Sequence, residues 1–270
     1  ATLRNAIDWS WNLLKPWEKL ALMQCSVFHG GFTMQDAEKV LDLSDFKDAP
    51  WIMDVIQSLL DQSLLRQTRP LPGHLRLGLY ESVAEYARER FSDPDTIRLE
   101  DGRSLTGVDA TEARRLAHAR WFANARKRVI DSPLSEDKGL ELDWNNPISG
   151  QQYALAAGDS EGIHGCTLGA NRLLELRGPF LQAIPLLQAG VNSVALTPMS
   201  RIWLQVELGC FEHTLGRNDN ALHEIREAID IANKHGLVEE QAHGYHHLGR
   251  ILRTLGETEE GVEYLRKSLK

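Results

Sequence analysis

Three histidines and two arginines crowd into one short stretch: His243, His246, His247, Arg250 and Arg253. His243 and His247 are one helical turn apart, a spacing at which two imidazoles can share a metal ion. No HExxH pattern surrounds them and no third ligand is assignable, so no metal site is expected. Recognition chemistry suits the same residues better. His243, His246, Arg250 and Arg253 are three to four residues apart and share one helix face. Imidazoles and guanidiniums on such a face can clamp carboxylates or phosphates through charge-assisted hydrogen bonds. Trp203, Val206, Cys210 and His213 hold the corresponding positions about forty residues earlier. The expected site is a partner-binding groove lined by Trp203, His213, His243, His246, Arg250 and Arg253. Its expected occupant is a protein or peptide, acidic ones included, or a small effector.

Two other basic groups call for a reading. Arg66, Arg69 and Arg76 flank the turn Pro70-Leu71-Pro72-Gly73 and are candidate phosphate contacts. Residues 111–129 carry Arg114, Arg115, Arg120, Arg126, Lys127 and Arg128 around Trp121 and Phe122. Basic and aromatic residues together can bind single-stranded nucleic acid. Here the charges spread around the helix, so a solvated face with one packed edge is expected. No GxSxG elbow and no Gly-Lys dipeptide occurs, which removes a phosphate-binding loop. No catalytic residue, enzyme activity or cofactor is expected in this chain. Cys25, Cys166 and Cys210 are odd in number and form no CxxC pair, which fits a reducing cytoplasm.

The elements that must position these residues belong to a chain of 270 residues and 30.4 kDa, enough for about two domains. Hydrophobic residues make up 42% and charged residues 25%, an ordinary globular composition. The net charge of −8 divides evenly, −4 over residues 1–100 and −4 over the remainder. Neither part is a basic body that condenses on nucleic acid by charge alone. No apolar run reaches the roughly 18 residues of a membrane helix. Residues 1–20 carry charge throughout, unlike a signal peptide. The chain starts at Ala1 and ends inside a helical pattern, so a piece of a longer protein is expected.

Apolar spacing predicts helices over 1–14 and from Pro16 to about Phe28, stopped by Gly30-Gly31. Thr33, with Asp36 three residues on, caps a third helix. Ile52, Val55, Ile56, Leu59 and Leu60 mark a fourth. Residues 63–67 and 74–79 read as a hairpin, and Ser82 to Phe91 as a closing helix. Residues 92–110 read as a linker or surface excursion. Thr111 is expected to cap the basic helix, and 131–150 to be irregular.

From about 151 the pattern is helical and repetitive. Gly216, Ala221, Ile225 and Ala228 recur as Gly256, Gly261, Leu265 and Ser268, and Gly178, Ala183 and Leu187 echo the same offsets. Leu208-Gly209 and Leu248-Gly249 precede the later two turn glycines. These offsets match tetratricopeptide repeats, with a small residue where two helices cross and a glycine between them. Three such units are expected. The fold expectation is mostly α: a winged-helix domain with a small β-hairpin over 1–91, a linker and connecting helix over 92–150, and an α-α superhelix of tetratricopeptide-like repeats over 151–270.

Residues 2–31, TLRNAIDWSWNLLKPWEKLALMQCSVFHGG, with 57–66, QSLLDQSLLR, and 77–91, LGLYESVAEYARERF, resemble the winged-helix region of bacterial STAND-class (NB-ARC-type) signal-transduction ATPases. The bacterial members are mostly large transcriptional regulators. The resemblance implies the order ATPase, winged helix, repeats. It implies ATP or ADP only in a neighbouring domain, which would be the intramolecular partner of this region. In that family a Met-His-Asp motif senses nucleotide. Tyr80, Glu81 and Ser82 stand at the matching positions, and a carboxylate there would repel a phosphate.

The functional expectation is a regulatory signal-transduction arm in the cytoplasm, whose repeats receive an effector and whose winged helix relays it. The alternative is a DNA-binding regulator that uses the hairpin arginines. Against it, Asp48 to Leu65 holds Asp48, Asp54 and Asp61 and no Lys or Arg, so the helix before the hairpin would repel phosphates.

Overall fold

The computed structural model describes residues 3–124, 142–177 and 180–269. It is mostly helical, with one two-stranded antiparallel sheet.

Helix α1 (Leu3–Leu13) lays Ile7 and Trp11 on the core, and Trp11 meets Tyr86 edge-on at 5.6 Å. Helix α2 (Pro16–Cys25) is the central rod, with Leu20, Ala21, Leu22, Met23 and Cys25 all buried. Its start follows the proline rule: Pro16 needs no N–H partner, and Glu18 accepts from the Lys15 backbone N–H at 2.8 Å. It ends at Cys25, three residues before the expected Phe28. The Ser26 hydroxyl bonds the Met23 carbonyl at 2.6 Å and closes the chain into a turn. Helix α3 (Met34–Val40) carries the expected box, Thr33 and Asp36 each satisfying the other's backbone N–H. Helix α4 (Ile52–Asp61) buries Val55, Ile56 and Leu59.

Strands β1 (Leu65–Leu71) and β2 (His74–Leu79) form the hairpin, irregular between Thr68 and Leu71. Leu77 also exchanges two 2.8 Å backbone bonds with Phe32, which ties the hairpin to the turn after α2. Helix α5 (Glu81–Ser92) follows.

Residues 93–107 are tied down rather than loose. Ile97 is buried, Arg98 bridges Ser104, and the Gly107 N–H reaches the Phe91 carbonyl at 2.7 Å. Helix α6 (Val108–Phe122) begins before the expected cap. Thr111 lies within its first turn, and its hydroxyl bonds the Gly107 carbonyl at 2.9 Å. The expected tail at 125–129 lies outside the described residues.

Helix α7 (Asn145–Ala157) occupies part of the stretch expected to be irregular. Pro147 sits in its first turn, where a missing N–H costs nothing. Gly150 packs so closely that an added Cβ would lie 2.7 Å from the Cys166 Sγ. The remaining helices are α8 (Ser160–Arg177), α9 (Ala183–Val191), α10 (Pro198–Thr214), α11 (Asn218–His235), α12 (Val238–Thr254) and α13 (Thr258–Lys267). The expected turn glycine Gly178 lies outside the described residues.

The last four helices form two antiparallel pairs that repeat after about forty residues. Gly249 makes the second pair possible, since a Cβ there would meet the Gly261 carbonyl oxygen at 2.6 Å. Gly256, at φ +93°, makes the turn in a conformation that L side chains rarely adopt. Gly209 and Gly216 hold the same places one repeat earlier. One continuous apolar core runs from Ile7 to Phe211, and smaller clusters lie between α10 and α13.

Candidate functional site

The residues singled out near the C-terminal end lie where α10 packs beside α12. Trp203 stacks on His243 with ring centroids 4.1 Å apart and planes 30° apart. His247 meets the edge of the same imidazole at 4.6 Å. One turn further, the Cys210 Sγ lies 3.0 Å from His247 Nδ1. At the far end His213 Nε2 is 3.0 Å from the Thr254 hydroxyl, and its Nδ1 is 2.8 Å from Asn218 Oδ1.

Electrostatics decides what the Cys210–His247 contact can do. Burial pushes the Cys210 thiol up to about 12, with Glu207 adding to the shift, Arg250 opposing it and Glu175 adding again. Burial pulls His247 down to about 4, and His243, His246 and Arg250 push the same way. Both groups are therefore neutral at pH 7. A neutral thiol beside a neutral imidazole is a structural contact, whereas a thiolate–imidazolium pair would be a nucleophile. Among the described residues no three His, Cys, Asp or Glu side chains converge as a metal-binding group.

The six expected groove residues fall into three sets. Trp203 and His243 form the stacked floor, and His213 is tied to its neighbours at one end. His246, Arg250 and Arg253 are exposed on α12. Within that last set, Arg253 diverges from the expected face. Its stem crosses Gly261, where an added Cβ would lie 2.7 Å from Arg253 Cγ, so it leans toward α13. Val206, read at the same face, is buried in the apolar cluster between α10 and α11. Tyr245, Leu248, Gly249 and Leu252 occupy the packed side, with Tyr245 against Tyr264 at 5.6 Å.

Sequence spacing missed the acidic flank. Glu207 accepts from Asn171 at 3.4 Å, and Glu175, on α8, accepts from the same amide. The surface around Trp203 and His243 therefore carries both signs, with carboxylates toward α8 and cations on α12. No local signal links Glu175, Glu207 and Arg250, which come from three different helices.

The C-terminal helix pair has the form of a tetratricopeptide-like repeat. Residues 242–270 match the tetratricopeptide repeat family model. Within this repeat, α12 is the helix that offers His246 and Arg250, and α13 is the one that covers its other side. Three curated relatives, each named a putative HTH-type transcriptional regulator, from Mycobacterium tuberculosis (two strains) and Mycobacterium bovis, are each 35% identical over 92 residues. That match covers 34% of this chain and a tenth of each relative's length. A crystal structure of a STAND protein with a tetratricopeptide repeat sensor, from Pyrococcus horikoshii, aligns over 99% of this chain and 52% of its own, at 13% identity and a TM-score of 0.45.

The hairpin arginines separate as well. Arg66 and Arg69 are exposed. Arg76 is not available to a phosphate: it is 5% exposed, bonded to Asp143 Oδ1 at 2.6 Å and to the Gly31 carbonyl at 2.8 Å. The Asp143 segment and the Gly31 turn, which cover it, decide this, since the exposed Arg66 lies on the same face of the hairpin. On the basic helix α6, Arg114 bonds the Val40 carbonyl, Arg120 pairs with Asp159 at 2.9 Å, and Arg115 lies over Tyr153. Each holds a different neighbour. Arg126, Lys127 and Arg128 lie outside the described residues. No described helix is long and apolar enough to cross a membrane.

Proposed function

We propose that this chain is a regulatory, partner-binding arm of a larger signalling protein. The wall between α10 and α12 carries the reading: an aromatic stack, Trp203 on His243, with His246 and Arg250 exposed on α12. Stacked rings give a rigid contact surface, and the cations give it a preference for acidic groups. The tetratricopeptide match supports protein or peptide recognition, because such repeats expose one face of each first helix along a continuous groove. The names of the mycobacterial relatives support a regulatory setting.

In this reading residues 1–91 act as a winged-helix relay, 92–150 as the connector and 151–270 as the receiving repeats, in the cytoplasm. ATP or ADP would belong to a neighbouring domain, and no catalytic step is assigned to these residues. A bound partner acts by favouring one of two packings of the relay, so it must bind the two unequally.

A displayed library of acidic, neutral and basic peptides tests the site. Selection on the wild-type chain should enrich acidic residues beside an aromatic or aliphatic one. A His246→Glu/Arg250→Glu variant with unchanged circular dichroism should lose those peptides. Enrichment of neutral or basic peptides, or retention by the variant, would refute the groove assignment.

A further inference from the structure

A recess is lined by residues outside the repeats α10–α13. A cleft of about 580 Å³ opens between the hairpin, the turn at Gly30-Gly31 and helices α5, α6 and α7. Apolar side chains pack beneath its floor. Phe28, Phe32 and Leu77 are buried there, and the two phenyl rings stack at 4.3 Å. Its rim is cationic, with Arg66, Arg88 and Arg115 reaching it from β1, α5 and α6.

The charge balance favours an anion. Arg76 also borders the cleft, but its charge is matched by Asp143 at 2.6 Å. Glu81 is the acidic residue on the lining, and it pairs with Arg88 at 2.8 Å through a side chain that is 88% exposed. Among the described residues Arg66 and Arg115 have no carboxylate within salt-bridge distance. Each lies across a tyrosine instead, Arg66 over Tyr80 at 5.6 Å and Arg115 over Tyr153 at 5.3 Å. Such stacking fixes a guanidinium while leaving N–H groups at its edge to donate. His29 closes one wall, its Nε2 2.9 Å from the Tyr153 hydroxyl.

The walls are preformed. The Gly31 carbonyl accepts from both Arg76 and Asn146 at 2.8 Å, and Phe32 and Leu77 exchange backbone bonds beneath it. The volume falls in the range of ordinary small-ligand pockets, about 300–1,000 Å³.

We propose that this cleft binds a small organic anion: a carboxylate or phosphate ester on a flat, largely apolar body. The body enters the recess above the packed Phe28–Phe32 pair, and the anionic group faces Arg66 and Arg115. The site would touch the hairpin and α7 together. It stands independently of the repeat-groove reading.

The test is an amide-detected NMR titration of the full chain with phenyl phosphate, benzoate and neutral benzyl alcohol. Both anions should give saturable shifts at Gly30, Gly31 and Gly78, with benzyl alcohol at least about tenfold weaker. Tighter phenyl phosphate assigns a phosphate ester, and equal or tighter benzoate assigns a carboxylate. Arg66→Ala/Arg115→Ala should weaken the anions about tenfold or more. Arg66→Gln alone, an exposed change on the hairpin, should weaken them severalfold if the double variant misfolds. No saturation with either anion, an equal response to benzyl alcohol, or unchanged affinity in Arg66→Gln would overturn the proposal.

Discussion

Trp203 and His243 lie ring against ring at 4.1 Å, joining the first helices of two successive repeats. The contact is structural as well as a candidate recognition surface, because it fixes α12 beside α10. Trp203→Ala removes both the stack and the half-buried indole. Beyond the lost burial, an aromatic pair contributes about 0.5–1.5 kcal/mol. A lowered thermal midpoint is expected, with the earliest hydrogen exchange in α12 and α13. Trp203→Phe should recover most of the loss.

Acid should loosen the same region. His247 is held at about 4 in the fold, against an ordinary value near 6.5, by burial first and then by His243, His246 and Arg250. The unfolded chain therefore binds more protons between those two values. Stability contributed by the neutral imidazole is full above about pH 6.5 and is lost as pH falls toward 4. His118, buried beside Phe28 and Phe122 and lowered to about 3, adds in the same direction. Urea unfolding between pH 7 and 5 should show falling stability, with a shallower fall in His247→Gln.

The Arg76–Asp143 pair should be costly to break. Both side chains are at most 10% exposed and 2.6 Å apart. Arg76→Met leaves the Asp143 carboxylate facing an apolar stem, and truncating one member of a buried pair costs about 3–5 kcal/mol. The urea midpoint should drop accordingly. An unchanged midpoint would mean that solvent reaches Asp143.

Gly249→Ala sets two effects against each other. Alanine favours a helix interior over glycine by about 1 kcal/mol. The new Cβ, however, would lie 2.6 Å from the Gly261 carbonyl oxygen and 2.8 Å from Leu265 Cγ. Backbone cannot step aside as a flexible side chain can, and overpacking costs about 1–3 kcal/mol. Net destabilisation of the α12–α13 pair is expected, read as a lower melting temperature by circular dichroism.

DNA should not bind this chain at moderate salt. Arg76 is sequestered, which leaves Arg66 and Arg69 on the hairpin, while Asp54 and Asp61 are exposed on α4. Two cations opposite exposed carboxylates are too few to release the counterions that drive such binding. A mobility shift that weakens steeply as salt rises would restore the hairpin to a DNA-contacting role.

The helices, the hairpin and the repeat offsets were legible in the residues alone. Apolar periodicity, the Thr33–Asp36 box and the Pro-Gly turn act between near neighbours, so the chain encodes them locally. The glycine offsets placed the close crossing at Gly249 and the turn at Gly256 for the same reason. The start of α7 was hidden because Pro147 and Gly150 look like helix breakers. Only their positions, in a first turn and against Cys166, make them compatible with a helix.

Side-chain roles were decided by tertiary structure. Arg66 and Arg76 share one face of the hairpin, but only Arg76 lies under the segment that brings in Asp143, a carboxylate 67 residues away. Arg250 and Arg253 are three residues apart, and it took the position of α13 to lay the stem of Arg253 over Gly261 and away from Arg250. The cleft lined by Arg66, Arg88 and Arg115 exists only where β1, α5 and α6 converge. Periodicity reports which face of an element is apolar. Which partner covers a polar residue depends on contacts between elements far apart in the chain, and no local pattern encodes those.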